Sequence, residues 1–232
     1  MKRELLLQLR SRLKRVADPE KAPQMQKYMK SNMPYLGVSA PLARKVFKET
    51  FADLEFEDAE AWKNTILGIW RNARFREEWY AAVALCESRA CKSVQTPETL
   101  SLYEEMIVTG AWWDVVDALA SHCVGDLLRR YPKQIRKEML RWSRSENMWK
   151  RRTSILCQLG FKADTDLDLL YSCIRPSLGS KEFFLRKAIG WALRQYAWTN
   201  PGEVRRYVQA HENELSALSM REALKNILVP SR

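Results

Sequence analysis

The sequence predicts an all-α fold, a helical solenoid of HEAT or TPR type. Three observations predict it. Apolar residues recur at helical spacing almost from end to end, whereas the alternation of a half-buried strand is hard to find. The eight glycines and nine prolines are scattered, so they punctuate short connections rather than long loops. Aromatic residues recur near helix starts at Trp79, Trp113, Trp149 and Phe184, with separations of 34, 36 and 35 residues. A period near 35 with two helices per unit is the mark of a helical repeat array. A plain helical bundle with periodic aromatics is the alternative.

Leu5, Leu6, Leu9, Leu13 and Val16 carry the first helix, and Asp18-Pro19 stops it. Pro41 to Phe51 forms a short helix. Trp62, Ile66, Ile69 and Trp70 share a face of the next, Glu57 to Arg74. Arg76 to Ala90, Pro97 to Val108, Trp112 to Tyr131 and Pro132 to Ser143 continue the series. Asn147 to Leu159, Thr165 to Ile174, Lys181 to Ala197, Pro201 to His211 and Ser219 to Leu228 complete it. No linker or low-complexity segment interrupts them, so residues 1–232 read as a single domain.

The formal net charge of +11 favours a polyanionic partner, nucleic acid or an anionic membrane, although a basic protein of another kind fits the same number. No run approaches the roughly 18 apolar residues of a membrane span, and Leu5-Leu6-Leu7 is too short for a signal segment. Five cysteines without a CxxC pair and two distant histidines argue against a disulfide framework and a zinc site. Reduced, mostly buried thiols fit a cytosolic protein, and the expectation is a monomer with no metal, no cofactor and no membrane partner. Nine tryptophans are more than core filling needs.

In a solenoid, equivalent positions of successive second helices form a stripe on one surface. Three residues after each anchor lie Ala82, Val116, Arg152 and Lys187; four after lie Val83, Asp117, Thr153 and Ala188. Charge enters the stripe in the later repeats, where a core would be apolar. Gly110 is expected to break a helix before Trp112-Trp113-Asp114-Val115-Val116-Asp117. Trp113 and Asp117 are four apart and share a face. The plainer reading makes Asp114 a helix cap and pairs Asp117 with a nearby arginine. Lys150, Arg151 and Arg152 place three cations on the first turns of a helix, against the helix dipole, so something else must favour them: solvent or phosphate. Ser180 is a candidate cap for the helix containing Phe183, Phe184, Lys187, Trp191 and Arg194. Gly190 within it would let another backbone or a ligand come close.

These segments resemble the AlkD-type DNA-alkylation-repair glycosylases. Trp112 to Asp117 is similar to that family's Trp-Trp-Asp-x-Val-Asp motif, Asn147 to Gln158 to its Asn-x-Trp-x-x-Arg helix, and Lys181 to Pro201 to its Lys-Glu-Phe-Phe helix. Lys21 to Gly37, with Tyr28, also matches. The resemblance spans nearly the whole chain. It implies tandem HEAT-like helical repeats forming a curved solenoid with a concave basic face, and a monofunctional glycosylase of the bacterial cytosol or nucleoid that binds double-stranded DNA containing alkylated purines there. It implies Asp117 as the catalytic carboxylate, with Trp113 and Trp191 against the lesion nucleotide. Arg152 would contact the DNA backbone near the lesion, and Tyr28 would reach the same cleft. Arg151, Lys187 and Arg194, cations of the same segments, are expected to add DNA contacts.

The chemistry suits such residues. A cationic alkylpurine is already a good leaving group, and breaking its glycosidic bond builds positive charge on the sugar. A fixed carboxylate and tryptophan faces stabilise that charge. The resemblance further implies that the lesion stays in or near the stack instead of being extruded into a pocket. Two other functions fit the composition: a non-catalytic nucleic-acid-binding module, and a protein-binding scaffold with tryptophan hot spots.

Overall fold

The computed structural model of the chain describes residues 2–228; Met1 and Val229–Arg232 of the expected 1–232 domain lie outside the described residues. Among the described residues every regular element is helical. The helices are α1 (Lys2–Arg15), α2 (Ala22–Met29), α3 (Ala40–Phe51), α4 (Ala59–Arg71), α5 (Arg76–Glu87), α6 (Leu100–Gly110) and α7 (Trp113–Ala118). They continue as α8 (Gly125–Arg130), α9 (Pro132–Trp142), α10 (Met148–Leu156), α11 (Leu167–Ile174), α12 (Phe183–Ala197), α13 (Pro201–Ala210) and α14 (Ala217–Leu228). No helix is long and apolar enough to cross a membrane, among the described residues.

Contacts divide the chain into two compact units, residues 1–102 and 103–232, with the division falling inside α6. In the first, α1, α3, α4 and α5 pack together around Leu9, Leu13, Trp62, Ile66 and Leu85. Two buried carboxylates fasten this core. Arg10 donates to Glu78 from both Nε and Nη2. Glu77, 0% exposed, accepts the backbone amides of Leu36, Gly37 and Val38 at 3.0–3.2 Å. Gly37 has φ +81°, and a Cβ there would lie 2.0 Å from the Asp18 carbonyl oxygen, so only glycine allows this turn to close.

In the second unit the helices alternate between two rows. One row runs through α7, α10, α12 and α14, each packed on the next. The other holds α9, α11 and α13; α9 packs on α11, and the rings of Tyr171 and Tyr207 stack at 4.2 Å between α11 and α13. The 35-residue aromatic period has a physical cause here. Trp113, Trp149 and Phe184 each begin a helix of the first row. Several helices start on a capping side chain: Asp58, Asn147, Asp166 and Asn200 each accept a first-turn amide.

Four local features differ from the sequence expectation. Residues 22–29 form a helix that periodicity does not indicate, because only Met29 of its side chains is buried. The left-handed residue after α6 is Ala111, with φ +40°, while Gly110 stays helical. The helix expected over Trp112–Tyr131 is split by a π-helical stretch, Leu119–Val124. Glu182 is the cap residue of α12, and the Ser180 hydroxyl instead accepts the Glu182 amide at 3.2 Å.

Candidate active site

Asp117 lies on α7, one turn after Trp113 and just ahead of the π-helical stretch. Its Oδ1 accepts from Arg152 Nε at 2.7 Å and its Oδ2 from Arg152 Nη2 at 2.8 Å. This is the fork geometry that fixes a carboxylate plane. Arg152 also donates from Nη1 to the carbonyl oxygen of Phe184, so α7, α10 and α12 meet at one guanidinium. The Arg152 side chain is 4% exposed and that of Asp117 is 16% exposed. The carboxylate therefore keeps an open edge while its partner is enclosed.

A cluster of aromatic rings lies beside Arg152. Trp112, Trp149 and Phe184 have centroids 5.0–6.2 Å apart, and the Arg152 guanidinium lies 5.8 Å from the Phe184 ring centre. Low polarity around a charge has a direct consequence. Burial pushes the Asp117 carboxyl above its ordinary 3.8; the Arg152 fork pulls against that, and nearby Asp114 adds to the push. Asp114 occupies the first turn of α7, where its Oδ1 accepts the Val115 amide at 2.9 Å, rather than the cap position.

The three cations at the start of α10 each find a different partner. Lys150 pairs with Glu104. Arg151 donates to Ser177 Oγ at 3.1 Å and to the Pro176 carbonyl at 3.3 Å. Arg152 takes Asp117. Their opposition to the helix dipole is thus offset by contacts within the protein. For Arg151 these contacts tie α10 to the turn at Arg175–Ser177. For Arg152 they engage three of its five N–H donors before any DNA is considered.

On α12, Lys187 and Arg194 both bind Glu222 of α14, Lys187 at 2.8 Å. Lys187 foremost holds the Glu222 carboxyl below its ordinary range. Gly190 between them serves a close backbone, not a ligand: a Cβ there would meet Ser219 O at 2.8 Å and Glu222 Cβ at 2.5 Å. Trp191 is half-buried, seven residues after Phe184 and so on the same side of α12. Trp113 is also half-buried. Tyr28, on α2 of the first unit, is 77% exposed.

The second unit thus brings together Asp117, Arg152 and the start of α12. Sequence reasoning treats Trp149 and Phe184 only as repeat anchors and leaves Trp112 and Glu222 out of the site. For Glu222 a signal exists: Lys187 and Arg194 are seven apart on one helix face and call for a shared acid. Its position 28 residues after Arg194 gives no hint of which acid. All five cysteines are buried and unbonded to one another. No cluster of three metal-binding side chains occurs among the described residues.

Residues 9–227 match the model of a family described as DNA alkylation repair enzyme. No curated protein sequence matches the chain significantly. Among solved structures, the chain is similar to one named "Predicted DNA alkylation repair enzyme from Enterococcus faecalis". The two share 30% sequence identity and a TM-score of 0.79, with 92% of this chain and 98% of that chain covered. The family match spans both helical units and every segment that builds the site, so the chain belongs to the DNA alkylation repair enzyme family.

Proposed function

We propose that the protein is a monofunctional DNA glycosylase. It hydrolyses the N-glycosidic bond of cationic N3- and N7-alkylated purines, such as 3-methyladenine and 7-methylguanine, in duplex DNA. The observation that carries this reading is the Asp117 carboxylate, fixed by a buried arginine fork yet open along one edge.

The alkylated purine leaves as a neutral base with the bonding electron pair, and positive charge appears on the deoxyribose. Asp117 stabilises that charge and orients a water molecule, accepting its proton as the water adds to the sugar carbon. The fork matters because a carboxylate that need not reorient stabilises the transition state more than the ground state. Trp113 and Trp191 offer ring faces to the developing sugar cation, each contributing about 0.5–2 kcal/mol. Arg152, enclosed behind the carboxylate, serves the DNA contact near the lesion by fixing Asp117 in place. Lys187, Arg194, Arg151 and Tyr28 extend the DNA contact. The lesion stays in or near the stack, and the chain acts as a monomer and as one domain, in the bacterial cytosol.

The test is release of free base from methylated duplex DNA by purified protein in the presence of a chelator. Release of 7-methylguanine or 3-methyladenine with an intact DNA strand is the expected result. Tight DNA binding without release would leave a non-catalytic module, and weak, salt-insensitive binding would leave a protein scaffold.

A further inference from the structure

A basic groove lies on the other flank of α10 from Arg152. Lys150 and Arg152 are two residues apart, about 200° around the helix, so they face opposite ways. Lys150 forms part of the wall of a groove of about 790 Å³ on α9 and the α9–α10 turn. Every charged residue lining this groove is a cation: Lys133, Arg136, Lys137, Arg141, Arg144 and Lys150.

Three of the six are tied to acids outside the lining. Arg136 pairs with Asp166 and Asp168, Arg141 with Glu138, and Lys150 with Glu104. Lys150 is further held by the Trp142 ring, 5.1 Å from its centroid. Those pairs stiffen the groove. Lys133, Lys137 and Arg144 are exposed, with no carboxylate within ion-pair distance among the described residues. Lys133, Lys137 and Arg141 follow one another at four-residue steps along α9, a stripe about 12 Å long that would face about three to four phosphates of one DNA strand. Holding cations this close together without counter-charges is unfavourable, and a phosphate backbone would relieve it.

We propose that this groove binds the phosphodiester backbone of undamaged duplex DNA, as a holding surface separate from the Asp117 centre. The proposal rests on the DNA-partner half of the proposed function, not on its chemistry. Lys133, Lys137 and Arg144 make the phosphate contacts; Arg136, Arg141 and Lys150 shape and polarise the groove.

The experiment compares wild type with the triple variant Lys133→Gln, Lys137→Gln, Arg144→Gln. Affinity for an undamaged oligonucleotide duplex is titrated at several salt concentrations. Loss of three contacts should lower the magnitude of the log affinity against log salt slope by about 2.7. Between about 50 and 200 mM salt the wild-type advantage should then shrink about 40-fold. A charge-keeping variant, Lys133→Arg, Lys137→Arg, Arg144→Lys, should restore the wild-type slope and so exclude a folding defect. Single-turnover base release at saturating enzyme should not change in either variant. An unchanged slope in the triple variant overturns the proposal, and so does an unchanged slope accompanied by lost binding to anionic lipid vesicles. A reduced slope in a protein that releases no alkylated base upholds the groove while refuting the glycosylase reading.

Discussion

Asp117→Asn tests the proposed chemistry most directly, and the ion pair sets the size of its effect. Take the sugar cation to form about 4 Å from the open edge of the carboxylate, where two unit charges at an effective dielectric near 20 interact by about 4 kcal/mol. Contacts of 2.7 and 2.8 Å place the Arg152 charge behind the carboxylate, about 8 Å from the sugar, where it opposes by about 2 kcal/mol. The paired carboxylate therefore contributes about 2 kcal/mol net, about 30-fold in rate. Asp117→Asn removes the attraction and leaves the repulsion, so the chemical step should fall about 10³-fold. Adding Arg152→Gln removes the repulsion too, and the double variant should recover to about 30-fold below wild type. The assay is single-turnover release of 7-methylguanine with enzyme saturating over DNA, so that affinity does not enter the rate. A double variant no faster than Asp117→Asn, or a single variant near the wild-type rate, would refute the electrostatic account.

Three further expectations follow from particular contacts. Because burial raises the Asp117 carboxyl, base release should decline on acidification through a pKa above 3.8, and Arg152→Gln should move that limb higher still; a pH–rate profile with no acid limb above 3.8 contradicts this. Gly190→Ala should destabilise the protein by about 1–3 kcal/mol in a denaturant titration, despite alanine's roughly 1 kcal/mol helix advantage, since its Cβ would strike α14; a gain in stability would mean that α14 yields freely. Glu77→Gln should lower stability by about 2–3 kcal/mol through weakened acceptance of the 36–38 amides, and an unchanged unfolding midpoint would show those amides to be otherwise satisfied.

Much of the fold is legible in the sequence because helix-row packing is periodic. Trp113, Trp149 and Phe184 announce successive helices of one row. Helix α2 is illegible for the opposite reason: it buries little, so no apolar face marks it. The candidate carboxylate is also legible, since an acid on a face shared with tryptophan stands out in a basic chain. What the sequence leaves open is whether Asp117 belongs to a site or merely to an ion pair. The structure shows the ion pair, since Asp117 does pair with an arginine, and the role of Asp117 in a site belongs to the proposed function. The direction of Arg152 is likewise hidden. Its helix position fixes the face, but only the placement of α7 and α12 turns its guanidinium inward to Asp117 and the Phe184 carbonyl.

Two features that propensity fails to foresee lie close in sequence to Asp117. Ala111 adopts a left-handed conformation that favours glycine. The π-helical stretch follows Asp117 directly, and such stretches recur at functional sites. The carboxylate itself burdens the fold. A carboxyl whose pKa is higher folded than unfolded adds stability below the unfolded pKa and loses it as pH rises through the folded one. At neutral pH the ionised Asp117 therefore detracts from stability, and the Arg152 fork only partly offsets the burial. A scaffold selected for stability alone would put an apolar residue here, as the sequence does at Val83, buried four residues after Trp79. Retaining an enclosed charge there, with an arginine committed to fixing its plane, makes sense where the charge acts on something that enters from the open edge.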